Sequence, residues 1–285
     1  MDNQSGLNIG AGYRNALILA KLHYENFPVI SLLVPKDLRK HLAIIYWFAR
    51  TADDFADEGN QTEDERFRNL SYFEIRLNDL INENCLSDLE AALSNTIKTK
   101  NLSTKYFFNL LEAFKQDVTK KRYTNFNELL DYCCNSANPV GRVILELLNV
   151  KDDQAIYYSD KICTALQNTN LVQDTDIDYK KGRIYYPLDE MEKYGVTEKM
   201  FELRENNLNF SNLVEFSIDR TQRMFNEGKN LLAYLKGRLK YEIAATINGG
   251  ELILNKIKEQ NYDVLNNRPV LNKSDYFKLF IKSIF

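Results

Sequence analysis

Punctuation is scarce in this chain. Five prolines and 11 glycines in 285 residues leave few places where a helix is forced to stop or a tight turn is built in. Histidine is scarcer still, at 2, and the 4 cysteines (Cys85, Cys133, Cys134, Cys163) include an adjacent pair and show no zinc-ligand spacing. That excludes a site of the zinc-finger kind. The expectation is four reduced, mostly buried thiols in a cytosolic protein. No apolar run is long enough to span a bilayer, and no early one resembles a signal peptide. An excess of basic charge is missing too: the net charge is -3, which argues against a general nucleic-acid binder. A hydrophobic share of 44% and a charged share of 27% are ordinary for a globular chain, and the length suffices for a large core.

What the chain has is apolar residues recurring at helical spacing. The spacing predicts a helix over about 11–24, broken by His23-Tyr24-Glu25-Asn26-Phe27-Pro28. A second has Pro35 in its first turn, carries Leu38, Leu42, Ile45, Ala49, Ala52 and Ala56, and stops at Gly59. Thr62 caps a third to about Asn82, a fourth runs from Ser87 to Lys98, and Ser103 caps a fifth through Val118. Pro139 should break the helix that follows Asn127. Asp152 or Asp153 caps a long helix to Lys181, with Gly182 as its stop, and 183–187 reads as an extended loop. Helices over about 197–205, 211–234 and 239–257 complete the chain, with Gly249-Gly250 read as a kink site inside the last. The sum is an all-α protein, residues 1–285 forming a single domain.

On the second helix, Tyr46, Arg50, Asp53 and Asp57 share one face, since steps of three and four residues return to the same side. Asp54 and Glu58 lie beside them. Four carboxylates therefore crowd the last two turns, where the helix dipole disfavours negative charge. A bound cation or a cationic partner is expected there. On the long later helix, Gln167, Asn170, Asp174 and Asp178 form a second polar stripe, again near a C-terminal end, with Asp176 off to the side.

Paired carboxylates one turn apart suit Mg²⁺, which takes oxygen ligands and keeps waters or phosphate oxygens in its octahedron. Two such helices facing each other would hold Mg²⁺ against a diphosphate, with nearby arginines and lysines neutralising the charge of its departure. Taken singly, either motif reads as a solvated helix face; the occurrence of both is what favours a site. Phe27, Tyr46, Trp47, Phe48, Phe55 and Tyr132 are by default core residues, although aromatic faces would also stabilise a carbocation.

These residues resemble the squalene/phytoene synthase family of trans-isoprenyl diphosphate synthases, over essentially the whole chain. The segments that carry the resemblance are 23–29, 46–59, Ser136-Ala137-Asn138-Pro139-Val140-Gly141-Arg142, 167–174 and Lys181-Gly182-Arg183-Ile184-Tyr185-Tyr186-Pro187. Within the family they look most like the bacterial hydroxysqualene synthase branch. The resemblance implies an isoprenoid-synthase-type helical bundle around a central pocket. It implies Mg²⁺ ligation by Asp53, Asp57, Asp174 and Asp178, with Tyr46 and Arg50 facing the diphosphate. Phe27, Asp54, Gln167, Asn170, Arg183, Tyr185 and Arg268 would bind substrate. The implied substrate is presqualene diphosphate, hydrolysed to hydroxysqualene in squalene or hopanoid biosynthesis, with no NADPH.

The chain departs from synthases that condense two prenyl diphosphates at Tyr24 and Glu25, at Cys134 and at Asn138-Pro139. Those departures favour an enzyme that starts from presqualene diphosphate. Three alternatives stay open: a head-to-head condensing synthase making presqualene diphosphate, dehydrosqualene or phytoene; a non-catalytic helical binding or assembly protein; and a terpene cyclase. The aromatic, apolar and basic chain end, Tyr276–Phe285, reads equally as a peripheral membrane contact and as a helix docked on the core.

Overall fold

Side-chain caps and left-handed glycines set the ends of most helices. The structure, a computed structural model, describes residues 6–22, 34–272 and 275. The helices are α1 (Ile9–Leu22), α2 (Lys36–Asp57), α3 (Glu63–Ile81), α4 (Asp88–Lys100), α5 (Lys105–Thr119), α6 (Phe126–Ser136) and α7 (Asn138–Leu147). They continue as α8 (Asp153–Gln173), α9 (Thr175–Lys180), α10 (Leu188–Lys193), α11 (Glu198–Glu202), α12 (Leu208–Gly228) and α13 (Gly237–Glu259). Among the described residues there is no strand. Thr62 and Glu65 form the reciprocal capping box that starts α3. Ser87, Asn125 and Asp152 cap α4, α6 and α8 by accepting backbone N–H bonds. The segment of Tyr24, Glu25 and Phe27 and the chain end Tyr276–Phe285 lie outside the described residues.

Several expectations need correction. The long acidic helix is two pieces, because Asp174 leaves helical geometry at φ -98°, ψ 15°. Thr175 supplies the reason: its hydroxyl donates to the Val172 carbonyl at 2.7 Å and meets the buried Tyr186 hydroxyl at 3.1 Å, and such back-bonding bends helices. The helix expected over 211–234 ends at Gly228 and continues as a 3-10 turn, Lys229–Ala233. Pro35 precedes α2 at its cap rather than entering its first turn. The six-residue α10 is too short for periodicity to show. α13 runs through Gly249 and Gly250, and Gly250 serves close approach: a Cβ there would sit 2.6 Å from Phe225 Cζ. Of the cysteines, all thiols, only Cys133 is buried, and Cys134 is exposed.

The chain divides into two compact units, Met1–Thr119 with Arg142–Lys151, and Lys120–Gly141 with Asp152–Phe285. In the first, α1 packs on α2 and α4. Gly12 makes that possible, because a Cβ would stand 2.0 Å from the Asp88 carbonyl oxygen. Phe48 anchors the core, stacked on Phe73 with centroids 5.1 Å apart and edge-on to Phe107 at 5.3 Å. Beside it His41, Thr96 and Tyr13 form a buried chain, with His41 Nδ1 3.0 Å and the Tyr13 hydroxyl 2.8 Å from Thr96 Oγ1. Burial, then Lys100 and Lys40, lower the His41 pKa to about 4, while Asp37 opposes them.

In the second unit α8 packs most extensively on α12, and also on α13 and α6. Gly228 lets α12 approach Ile162, whose Cγ1 lies 2.7 Å from where a Cβ would be. The extended segment after Gly182 is held by backbone: Ile184 N–H donates to the Lys121 carbonyl at 3.0 Å, and Leu188 N–H to that of Tyr123 at 2.9 Å. Tyr185 stacks on Tyr123 (5.6 Å, 25°).

Gly12→Ala is expected to destabilise the protein by about 1–3 kcal/mol, because backbone must move. Gly10→Ala, whose Cβ meets no backbone but only Asn8 Oδ1 at 3.2 Å and Arg14 Nη1 at 3.5 Å, is expected to change stability by less than about 1 kcal/mol. Urea titration of both variants checks the contrast. A depressed histidine pKa means that the unfolded chain binds the extra proton first. The His41 contribution to stability is therefore complete above the ordinary histidine range and falls as pH drops towards about 4. His41→Gln should flatten melting temperature against pH in that window relative to wild type; parallel curves would contradict this.

Candidate active site

The first acidic group belongs to α2 and to the first unit. Arg50 reaches forward along its own helix to three carboxylates: Asp53 at 3.1 Å, Asp54 at 2.6 Å and Glu58 at 3.4 Å. The cationic partner expected from the sequence is thus, in part, an internal one. Burial works against the Arg50 charge, but Asp54, Asp53, Tyr46 and Glu58 outweigh it and raise its pKa further. Burial likewise raises the Tyr46 pKa, opposed by Arg50 and reinforced by Asp53 and Asp54. Two polar atoms on this face, Tyr46 Oη and Arg50 Nε, are buried with no protein hydrogen-bond partner. Asp54 Oδ1 shares that state, held by Arg50 through charge without hydrogen-bond alignment. Asp57, one turn beyond Asp53, completes the row. Phe48 is wholly buried and Tyr132 nearly so, as core residues, whereas Tyr46, Trp47 and Phe55 are only half-buried.

The second group belongs to the second unit, where α8 ends and α9 follows. Asp174 sits at the junction, and Arg268 Nε donates to its Oδ1 at 2.5 Å. The neighbouring Gln173 amide donates to the Pro269 carbonyl at 2.6 Å. The short Asn267-Arg268-Pro269 segment is therefore pinned beside the second motif. Asp176, off the stripe, is taken by Lys180 at 2.7 Å and by Arg204 Nε at 3.0 Å. The Arg204 bond, ahead of that from Lys180 and against burial, holds its carboxyl below the usual range. Asp178 N–H still donates to the Asp174 carbonyl at 2.8 Å, so the two stay one turn apart across the break. Gln167 is half-buried and Asn170 exposed.

Gly182, at φ +77°, ends α9 in a Schellman arrangement. Its N–H donates to the Tyr179 carbonyl at 2.8 Å and that of Arg183 to the Asp178 carbonyl at 2.9 Å. That turn sends Arg183 and Tyr185 back into the protein, each 7% exposed. Asn138, one of the departures from the condensing synthases, has a packing role here. Its carboxamide accepts from Thr164 Oγ1 at 3.0 Å and faces Cys134 Sγ at 3.8 Å.

As metal ligands these groups are incomplete cages. Among the described residues no group of three or more His, Cys, Asp or Glu side chains could hold an ion by itself. The donors are nevertheless all carboxylate oxygens, partly hydrated, with side-chain exposures of 42% for Asp53 and 29% for Asp174. That donor set fits Mg²⁺, which takes one or two carboxylates and draws its other ligands from water and phosphate. Arg204 went unseen in the sequence as a partner of Asp176, since 28 residues separate them and no spacing rule links them. Only the resemblance, not the pattern, pointed to Arg268.

A model of the family described as squalene/phytoene synthase matches residues 20–275. The chain is 32% identical to the hydroxysqualene synthase of Zymomonas mobilis subsp. mobilis over 266 residues, 91% of this chain and 87% of that one. It is 27% identical to the 15-cis-phytoene synthase of Synechocystis sp., covering 86% of this chain and 76% of that one. Among solved structures, the squalene synthase HpnC from Alicyclobacillus acidocaldarius superposes with a TM-score of 0.83 at 35% identity, over 89% of this chain and 95% of that one.

Replacing Arg50 by Gln leaves three carboxylates at a helix end without their cation. This is expected to destabilise the protein more than Arg268→Gln, which removes one exposed pair at a cost under about 1 kcal/mol. The Arg50→Gln deficit should also shrink in high salt. Urea titrations at two ionic strengths measure both, and equal costs would speak against the Arg50 arrangement.

Proposed function

The chain belongs to the squalene/phytoene synthase family, an enzyme family acting on prenyl diphosphates, and on that premise we propose that it converts presqualene diphosphate and water to hydroxysqualene and diphosphate. The observation that carries the reading is the pair of buried, unpartnered polar atoms Tyr46 Oη and Arg50 Nε beside Asp53 and Asp57. Hydrogen-bond donors fixed on a face of carboxylates suit an anion that arrives with its own cations. Family members are generally divalent-metal dependent; the metal proposed here is Mg²⁺, carried by Asp53, Asp57, Asp174 and Asp178. Bound there, it would neutralise the diphosphate and ease its departure.

In this reading Tyr46 and Arg50 donate to diphosphate oxygens, and Arg183 and Arg268 add positive charge as the C–O bond breaks with both electrons leaving on oxygen. Asp54, Gln167, Asn170 and Tyr185 bind the substrate around them, and Phe27 contributes an aromatic face. The cyclopropylcarbinyl cation rearranges to an allylic cation. Water adds through oxygen and loses a proton, so the balance closes without NADPH. The match over 20–275 runs through both compact units and supports reading 1–285 as one functional domain. Substrate and product are both lipids, so the proposal includes a peripheral membrane contact. No helix among the described residues is long and apolar enough to cross a membrane.

A second reading, a head-to-head condensing synthase, is favoured by the similarity to a phytoene synthase. Purified protein with Mg²⁺ and no NADPH separates the two. Hydroxysqualene from presqualene diphosphate and nothing from farnesyl diphosphate, by mass spectrometry, is the expected result. A C30 product from farnesyl diphosphate would replace the first reading by the second. Asp57→Asn and Asp174→Asn should each lower turnover at least 100-fold, about 2.7 kcal/mol in barrier height, with helical content unchanged. Full activity in both variants would remove the metal-site assignment.

A further inference from the structure

α8 carries a polar residue on its other face. Asn168, 5% exposed, points away from the stripe of Gln167, Asn170 and Asp174 and towards α12, sharing its face with Leu171 and Val172. Its Nδ2 reaches only Met224 Sδ at 3.9 Å, a weak contact, and its Oδ1 has no protein partner. Facing it from α12 is Arg220. Both terminal nitrogens of that guanidinium are on the Glu190 carboxylate, Nη2 at 3.1 Å from Oε2, and its plane lies over Phe126, 3.4 Å from the ring centroid. A guanidinium whose two Nη groups grip one carboxylate has its Nε–H aimed elsewhere. Arg220 Nε is buried and has no protein partner either.

Asn168 and Arg220 line one cavity, together with Ser217, Thr221 and Tyr186. The hydroxyls of Ser217 and Thr221 already donate to the Leu213 and Ser217 carbonyls, at 2.9 and 2.8 Å, so towards the cavity they can only accept. Of the groups without a partner the wall offers a donor, Arg220 Nε–H, and an acceptor, Asn168 Oδ1, with the two α12 hydroxyls as further acceptors. Arg220 and Glu190 offset each other's charge, so the site has no net charge to hold a free ion, and an apolar group would leave both orphans unmet. Burying two polar atoms without partners is unfavourable, and a ligand able to meet both relieves it. The space open to the centre of a water molecule is about 20 Å³, against the roughly 10–15 Å³ that one water needs.

We propose that this cavity is a built site for one integral water, which accepts from Arg220 Nε–H and donates to Asn168 Oδ1 and to an α12 hydroxyl. The water ties α8 to α12 a turn and a half before Asp174. Through the Arg220–Glu190 pair it also ties both to α10, which follows the segment carrying Arg183 and Tyr185. This assignment is independent of the proposed reaction.

A crystal structure of the protein at a resolution that shows ordered water tests it. The expected result is a single peak within hydrogen-bond distance of both Arg220 Nε and Asn168 Oδ1. The same crystals of Asn168→Leu should lose that peak while the Arg220–Glu190 pair stays. A dry cavity, an Asn168 carboxamide turned onto a protein group, or a peak whose scattering and distances identify an ion would each overturn the proposal. So would a peak that persists unmoved in Asn168→Leu.

Discussion

Carboxylates gathered at the C-terminal end of a helix repel one another and the helix dipole at once, and positive charge must hold them there. On α2 that charge is Arg50, which spans Asp53, Asp54 and Glu58 from within the same helix. After α8 the duty is divided. Arg268 takes Asp174, and Arg204 with Lys180 takes Asp176. The division has a chemical consequence. Asp176 is neutralised by two partners, while Asp53 and Asp174 keep side-chain exposures of 42% and 29%, the partly hydrated setting in which Mg²⁺ takes carboxylate ligands. Arg50, for its part, is surrounded by acids that keep it charged and still has a buried Nε–H to offer.

The residues proposed to carry chemistry are positioned by features with no chemistry of their own. Thr175 bends the chain at Asp174, and Gly182 turns Arg183 and Tyr185 inward, where Tyr123 and Tyr132 pack against Tyr185. Gly228 and Gly250 bring α12 and α13 close to α8, each at a place where a Cβ would overlap a neighbour. A helix pressed so closely on its apolar side has little freedom to rotate. Its opposite stripe therefore keeps a fixed direction.

Much of this was legible in order along the chain. Thr62, Ser87 and Gly182 act where their side chains and neighbours said they would, because caps and left-handed stops are decided within four or five residues. The buried positions Leu38, Leu42, Ile45, Ala52 and Ala56 of α2 follow from helical period alone. The misses have the opposite character. Gly249-Gly250 read as a kink site because local propensity penalises glycine in a helix, whereas Gly250 answers to Phe225 on another helix. The break at Asp174 depends on Thr175 and Tyr186 together, and α10 is too short to display a period.

The sequence by itself determined the all-helical class, the two carboxylate rows and the family, since these rest on residue type and on spacing within one helix. It also placed Tyr46 and Arg50 on the row of Asp53 and Asp57, through steps of three and four. Only the tertiary structure decided which charges are already answered and which polar atoms are left over. Arg204 reaches Asp176, Arg268 reaches Asp174, Glu190 takes both terminal nitrogens of Arg220, and Asn168, on the wall of a cavity, keeps an oxygen without a protein partner. Those partners lie 28, 94 and 30 residues apart in the three pairs. Hydrogen bonds and ion pairs act over a few ångströms of space whatever the separation along the chain, so folding alone could bring them together.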